Sequence, residues 1–594
     1  MAASDEYRSR QTGWSERRAR CERLFIRIGN ARLALGVTEA VLAYLVFGRD
    51  LLPAFYLAIP VVLFVILVVW HSRIIRERIL ADRALQFYAR ALARIEDKWV
   101  GKGSPGDRFR DSSHVYSDDL DLFGKGSLFE LIAETRTAAA EATLAKWLLA
   151  PASPSEATER QAAVGELRSR LDLREHFSVL GPDIQAEVSV EGLASWGNSP
   201  IVAFPSLLRP VFGVLAALSL GLLLGFFAGL VSPFPLVAVI ALDVCIGLAL
   251  RAKVRTVLEP VETVSHGLSI LSLAFTRLER ETFESPLLAR LKSELRSEGA
   301  PASDCVTQLA RWVDWHDSAE HPLIRALRPL LFWREQVAMG VERWRQHSGM
   351  HVASWLHALA AFEVLSSFAS LSFERPHWCF PELVAGSVPV LEAHAIRHPL
   401  LPEARSVGNE VSLGDGVHLL IVSGSNMSGK STFLRAIGLN TALAWAGGPV
   451  CAKAMQVSRL YLGASIRVTD SVLDNRSRFF AEILRIKQIV DLAKSSRAAL
   501  FLLDELLSGT NSHDRQIGAG ALIRKLVEFG AIGVITTHDL ALAHIEQEVD
   551  GNATNAHFDD QIVNGDITFD YRLRPGVVTH SNALELMRSV GLDV

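Results

Sequence analysis

Three short segments near the carboxyl end carry residue types that together do phosphate chemistry. Residues 417–422 (VHLLIV) form an apolar run of strand character. They are followed by Gly424, Ser425, Asn426, Met427, Ser428, Gly429, Lys430, Ser431 and Thr432, then by a helical stretch, FLRAIGLNTAL. This is G-x-x-x-x-G-K-S between a strand and a helix, the context a phosphate-binding loop requires. Glycines let backbone N–H groups turn toward phosphate oxygens, and the helix N-terminus adds partial positive charge. In such a loop Lys430 reaches the β- and γ-phosphates, and the Ser431 hydroxyl holds Mg²⁺. A second apolar run, 500–503, ends in Asp504 and Glu505. Asp504 is suited to the Mg²⁺ shell and Glu505 to polarising the attacking water. A third run, 532–535, ends in Thr536, Thr537, His538 and Asp539, with His538 suited to sensing the γ-phosphate. Alone, either strand end is most simply a solvated terminus. In this order behind the loop, they specify a Mg²⁺-dependent ATPase whose site lies at the carboxyl ends of parallel strands. The expected catalytic residues are Lys430, Glu505 and His538. ATP binds along 424–432, and Ser431 and Asp504 hold the metal.

These residues resemble the MutS family of ATPases. The loop GSNMSGKST is similar to the family's GPNMGGKST, with Ser425 and Ser428 replacing Pro and Gly. FLLDELLSGTNSHDR is similar to the pattern DE-x-x-x-GT-x-x-x-D, matched by Asp504, Glu505, Gly509, Thr510 and Asp514. SRFFAE, from Ser477 to Glu482, is similar to the STFMxE signature, with Arg478 standing where Thr is usual. The resemblance implies that Ser477 reaches the nucleotide bound to the other subunit, and hence a homodimer with composite ATP sites. Asn409 matches the family's nucleotide-pocket Asn, and no adenine-stacking aromatic lies nearby in sequence. The tail YRLRPGVVTHSNALELMRSVGL resembles the closing segment that helps subunits pair. Upstream, 119–151 with Arg160 and Gln161 resembles the start of the helical core, and 395–401 the approach to the ATPase domain. The similar regions cover about 119–200 and 256–594. The mismatch-reading domain with its Phe-x-Glu wedge is missing, the helical region is short for lever and clamp arms, and no Smr-type nuclease follows. The implied activity is ATP-driven conformational change without mismatch reading, with DNA as an open partner.

The elements that position these motifs have a divided composition. The chain has 594 residues, 61 Lys and Arg against 65 Asp and Glu, and a net charge of −4, a balance that does not advertise nucleic acid. Cys21, Cys245, Cys305, Cys379 and Cys451 form no CxxC pair, which argues against a disulfide scaffold or zinc module and fits a reducing compartment. A mean hydropathy of +0.22 excludes general disorder. The excess is concentrated. Runs 51–70 and 210–231 are uncharged, while their neighbours 33–48 and 233–250 carry only Glu39 and Asp243. Each strong run, at about 1.5 Å per residue, crosses a hydrocarbon core of about 30 Å. Two transmembrane helical hairpins are therefore expected, against the plainer alternative of buried core helices. Arg27, Arg32, Arg73, Arg76 and Arg78 flank the first hairpin, and Arg209, Arg251, Lys253 and Arg255 the second. The positive-inside bias then predicts four spans in a bacterial cytoplasmic membrane, with both termini and the ATPase domain in the cytoplasm and membrane lipid as a partner. Glu39 and Asp243 are costly in lipid and are expected to face protein, hydrogen-bonding between hairpins.

The predicted fold class is multidomain: an α-helical core with two transmembrane hairpins plus a C-terminal α/β P-loop ATPase domain of ABC/MutS type. The predicted divisions are a 1–30 cytoplasmic segment, 31–71 first hairpin, 72–118 helix and linker, 119–205 first part of the core, 206–251 second hairpin, 252–394 second part of the core and 395–594 ATPase domain. Trp312, Trp315, Trp333, Trp344 and Trp355 are expected to pack helices. Two other functions compete. An ATP-driven transporter component predicts an LSGGQ-like signature before Asp504, and 435–500 contains none. A nucleotide-switched membrane scaffold sits poorly with intact Lys430, Asp504, Glu505 and His538.

Overall fold

The computed structural model describes residues 2–49, 51–187, 190–205, 207–262, 265–297, 299–318, 328, 330–386, 388–425, 427–467, 478–496, 498–507, 510–538, 551–563 and 566–578. Asn426, Ser477, Gly509, Asp539 and the tail from 579 lie outside them. The chain opens with two long helices, α1 (Ala3–Ala43) and α2 (Ala58–Ile95), reversed through a π-helical end and a short 3-10 turn behind Pro53. They run antiparallel. Arg18 pairs with Asp82 at 2.5 Å, Arg78 with Glu22 at 3.2 Å, and the Phe25 and His71 rings are 4.7 Å apart. The hairpin limits expected at 31 and 71 fall inside these helices. Cross-helix ion pairs carry the polar stretches along the same rods as the apolar ones. At the base, Tyr7, Phe87, Tyr88 and Leu171 form a small apolar cluster.

The helical core follows. It comprises α3 (Leu128–Ile132), α4 (Ala138–Leu149), α5 (Pro154–Arg168), α6 (Leu171–Glu187) and α7 (Val190–Gly197). Ser127, Thr137 and Ser153 cap three of them by accepting the N–H three residues on. A second hairpin, α8 (Leu208–Phe227) and α9 (Pro233–Glu262), interrupts this core. It resumes with α10 (Ser265–Arg280), α11 (Pro286–Glu294), the two-residue strands β1 (Arg296–Ser297) and β2 (Ala300–Pro301), α12 (Ala302–Ser318), α13 (Trp333–Ser348) and α14 (Val352–Glu374). α14 is buried along nearly its whole length beneath α4, α5 and α11.

Among the described residues, five helices are long and apolar enough to cross a membrane. In Trp333–Glu374 the apolar stretch is 89% buried, so its apolarity serves the core. In Ala3–Gly48, Ala54–Ile95, Leu208–Phe227 and Pro233–Glu259 only 6–11% is buried, and side chains such as Val62, Ile66, Leu224 and Phe234 stand exposed. Asp243, 2% exposed, accepts a 2.6 Å hydrogen bond from Ser219, so its partner lies within the second hairpin and not in the first. Glu39 Oε2 is buried without a hydrogen-bond partner.

The α/β part comprises β3 (Glu382–Val384), β4 (Leu391–Ile396), β5 (Asn409–Leu413), β6 (Leu419–Ser423), α15 (Lys430–Ala446), β7 (Ala454–Ser458), β8 (Tyr461–Ser465), α16 (Arg478–Ser495), β9 (Ala499–Asp504), α17 (Ser512–Glu528), β10 (Ile532–Thr537), β11 (Ala553–Val563) and β12 (Asp566–Pro575). The six-stranded sheet has the order β12-β11-β6-β10-β9-β8 and is parallel except for β12 at its edge. Strands β6, β9 and β10 are buried on both faces, as continuous apolar runs in a parallel sheet should be. A second sheet has the order β3-β7-β4-β5. Because β3 and β4 pair with β7 and β5, the α/β part begins before residue 395, inside what the sequence assigns to the helical core.

One buried network joins α2 to α14. Arg94 forks onto both oxygens of Glu374 at 2.6 Å each and also pairs with Glu134. The Tyr7 O–H donates to Glu374 (3.3 Å), and the Ser370 O–H to Glu134 (2.5 Å). Glu374→Ala would remove both Arg94–Glu374 hydrogen bonds, leave Glu134 as its remaining acid and strip the Tyr7 O–H of its acceptor. An expected loss of about 3 kcal/mol should appear as a lowered thermal midpoint of the full chain. A second prediction concerns His398, after β4, whose Nδ1 accepts the Leu400 N–H at 3.2 Å. Burial, aided by Arg435, pushes its pKa down to about 4. The unfolded chain binds this proton near 6.5, so it holds more protons than the fold between those values. Stability should therefore fall as pH drops through that window, by at most about 3 kcal/mol from this group. His398→Asn, which keeps an acceptor, should lessen the fall in the midpoint between pH 7 and 4.

Candidate functional site

Strand register brings the three sequence segments together. In the sheet, Thr537 lies opposite Ser423 and Thr536 opposite Asp504, so β6, β10 and β9 end at one level. The loop after β6, the acids after β9 and His538 after β10 thus share the carboxyl edge, as an α/β site requires.

The loop is shaped by close approach. A Cβ on Gly424 would lie 2.9 Å from Ser428 Oγ and 3.0 Å from the Phe558 carbonyl. Gly429 has φ 103° and starts α15, with the Tyr571 ring 3.1 Å from where its Cβ would be. Met427 takes the left-handed region too (φ 71°) and is 84% exposed. Lys430 is 5% exposed, and its Nζ donates to the carbonyls of Gly424 and Ser425 at 2.8 Å each. An ammonium has three N–H donors, so one remains for a phosphate oxygen. Burial lowers the Lys430 pKa, opposed by Glu505 and Asp504. Ser431 and Thr432 line the same cavity from the first turn of α15.

Thr536 organises the acids. Its hydroxyl donates to Asp504 Oδ1, and its carbonyl accepts the Glu505 N–H at 3.1 Å. Glu505 sits at φ 47°, a strained conformation for a non-glycine residue, and its Oε1 is 3.4 Å from His538 Nδ1. Glu482 accepts the Leu507 N–H at 2.7 Å and so fixes the turn that follows the acids. The residues present fit a Mg²⁺–nucleotide. Ser425 Oγ and Ser428 Oγ are buried without partners at the loop. Ser431 and Asp504 offer the hard oxygen donors that Mg²⁺ prefers.

The cavity they line has a volume of about 970 Å³. Its other wall was not legible from the loop's neighbours in sequence. Phe569 and Tyr571 arrive from β12, so the pocket does contain aromatics where the sequence suggested none nearby. Asn409 lines the cavity, as expected of a pocket residue, but both ends of its amide are engaged with β12. Its Nδ2 donates to the Tyr571 carbonyl (3.0 Å) and its Oδ1 accepts the Leu573 N–H (2.8 Å), clamping β12 to β5. Leu401, Ala404, Arg405, Ser406 and Val407 complete the wall. The aromatic spacing of 569 and 571, on one face of a strand, was the available signal.

Comparison with known proteins adds to this geometry. Residues 420–593 match the family model for MutS domain V. Over 299 residues the chain is 30% identical to a protein named DNA mismatch repair protein MutS 2 from Haloarcula marismortui, covering 46% of this chain and 29% of that one. Over 230 residues it is 31% identical to a protein named Endonuclease MutS2 from Thermomicrobium roseum, covering 36% and 28%. The match therefore spans less than a third of either relative's length. The carboxyl-terminal part of the chain, which carries the site, is thus similar to MutS domain V.

Proposed function

We propose that the chain is a membrane-anchored, MutS-like ATPase that couples ATP binding and hydrolysis in a homodimer to movement of its helical core. The observation that carries this reading is the shared edge of β6, β9 and β10, where Lys430, Ser431, Asp504, Glu505 and His538 line or adjoin one cavity. Lys430 and the loop N–H groups bind the phosphates. Glu505 orients the attacking water, and His538 beside it senses the γ-phosphate. Mg²⁺, held by Ser431 and Asp504, would supply charge neutralisation at the phosphates. Tyr571 and Phe569 offer ring faces to the base.

Exposed apolar residues on this edge support the dimer. Met427 is on the loop, Phe480 and Ile483 are in the first turns of α16, and Ile517 is near the start of α17. The proposed role of Ser477 as a trans contact belongs to that interface. The four exposed apolar helices support anchoring as four spans, with both termini and the site on the cytoplasmic side. Coupling between anchor and site is supported by Asp97, just past α2. It accepts from Arg375 (2.5 Å) and from the backbone N–H of Glu403 (3.3 Å), beside the cavity wall. The relatives' printed names favour a second reading, contact with DNA. Its test is salt-dependent retention of duplex DNA by the detergent-purified chain.

Two outcomes are expected. Glu505→Gln should slow hydrolysis by about 10²–10⁴-fold while retaining ATP and stabilising the dimer, whereas Lys430→Ala should lose ATP binding itself. Wild-type turnover by Glu505→Gln would refute this mechanism. The chain should also stay with the membrane pellet after alkaline carbonate extraction, and release into the supernatant would refute anchoring.

A further inference from the structure

Strand β9 ends at Asp504, and the chain continues through Glu505, Leu506 and Leu507 before α17. Two of these residues take the left-handed region, Glu505 at φ 47° and Leu507 at φ 55°. Neither is a glycine, so the Cβ of each crowds its own backbone, and such a conformation persists only where its surroundings over-determine it. Leu506, between them, is buried in the apolar cluster that α16 and α17 share with the sheet. Gly518 of α17 gives Leu507 room, because a Cβ there would lie 3.1 Å from Leu507 Cδ1.

Both ends of this turn are held by polar contacts. At its start the Glu505 N–H donates to the Thr536 carbonyl at 3.1 Å. At its end the peptide groups of Leu507 are taken by two side chains from different helices. Glu482 of α16, 5% exposed, accepts the Leu507 N–H on its Oε1 at 2.7 Å. Arg515 of α17 donates from Nε to the Leu507 carbonyl at 3.2 Å and from Nη2 to the Thr510 carbonyl at 3.4 Å. Hydrogen bonds to a carboxylate or from a guanidinium are roughly twice as strong as neutral ones, so they suit a turn that must be held against strain. Neither Glu482 nor Arg515 is among the described residues that line the cavity.

We infer that Glu482 and Arg515 are positioning residues for the proposed hydrolysis. Held at its N–H and at its carbonyl, Leu507 does not turn back to negative φ. The strained turn then keeps the Glu505 carboxylate on the cavity, 3.4 Å from His538 Nδ1. The inference rests on the ATPase reading above, in which Glu505 orients the attacking water. Release of either contact lets the turn relax and swings that carboxylate off line, while the phosphate loop, Ser431 and the aromatic wall stay in place. Turnover suffers and nucleotide binding does not. Contacts that merely fastened α16 and α17 to the sheet would instead lower stability and weaken binding together.

The test measures kcat, KM and the Kd for a fluorescent ATP analogue on the full chain. Glu482→Ala and Arg515→Ala should each lower kcat by about 10–10²-fold with KM and Kd unchanged, as expected for a reacting group displaced by about 1 Å. Glu482→Gln, whose side-chain carbonyl still accepts the Leu507 N–H, should restore kcat to within about threefold of wild type. Near-UV circular dichroism checks that each variant is folded, and Arg515→Ala, at a half-buried position, carries the test where Glu482→Ala does not fold. Wild-type kcat in either folded alanine variant overturns the inference. So does a kcat that falls together with weakened ATP affinity, or one that Glu482→Gln fails to restore. Glu505→Gln separates the two failures. Wild-type turnover there refutes the hydrolysis mechanism itself, while slow turnover there beside wild-type turnover in Glu482→Ala refutes only the positioning role.

Discussion

The buried contact of Arg94 with Glu374 and Glu134 is the constraint on which the arrangement of this protein depends. Three charges removed from water are tolerable only when paired and hydrogen-bonded together, so Tyr7, Ser370 and the ends of α2 and α14 have a single satisfactory geometry. Burial pushes the Glu374 carboxyl above its usual range, and the Arg94 guanidinium opposes that shift. The network thereby fixes the angle at which a two-helix rod leaves the helical core.

The same corner reaches the cavity at the carboxyl edge of the sheet. Arg375 follows Glu374 directly and donates to the Arg94 carbonyl (2.7 Å) and to Asp97. Asp97 in turn accepts from Glu403, in the stretch that forms one wall of the cavity. Two covalent neighbours, Glu374 and Arg375, thus hold the base of the rod and, through Asp97, the wall of the site. A shift of that wall has a short hydrogen-bonded path to α2. Across the cavity, the Asn409 clamp on β12 sets the opposite wall by the same means, a buried amide with both ends used.

Much of the site was legible in sequence because its signals are local. Gly424 to Thr432, Asp504, Glu505 and His538 each sit within a few residues of a strand end, and apolar runs of that length fix the strands. The two hairpins were legible as uncharged runs. Their limits were not, since the ion pairs that extend α1 and α2, such as Arg18–Asp82, join residues far apart in the chain. The stretch Trp333–Glu374, α13 and α14 end to end, shows the converse. Its composition would suit a membrane, yet its neighbours bury it. Tyr571 was missed for a similar reason. It follows Gly429 by more than a hundred residues and meets it only because β12 lies at the edge of the sheet beside β11 and β6.

The sequence by itself determined the residue types available, namely a G-x-x-x-x-G-K-S loop, two acids, a histidine and two apolar hairpins. Those properties reside in residue type and near-neighbour spacing, and helix and strand periods act over the same short range. Only the tertiary structure decided which apolar helix is covered, which aromatics face the cavity, and how α2 is joined to the site. Those outcomes depend on the pairing of distant strands and on burial. Whether a polar group may be buried is settled by the partner it meets across space, and spacing along the chain does not encode that partner.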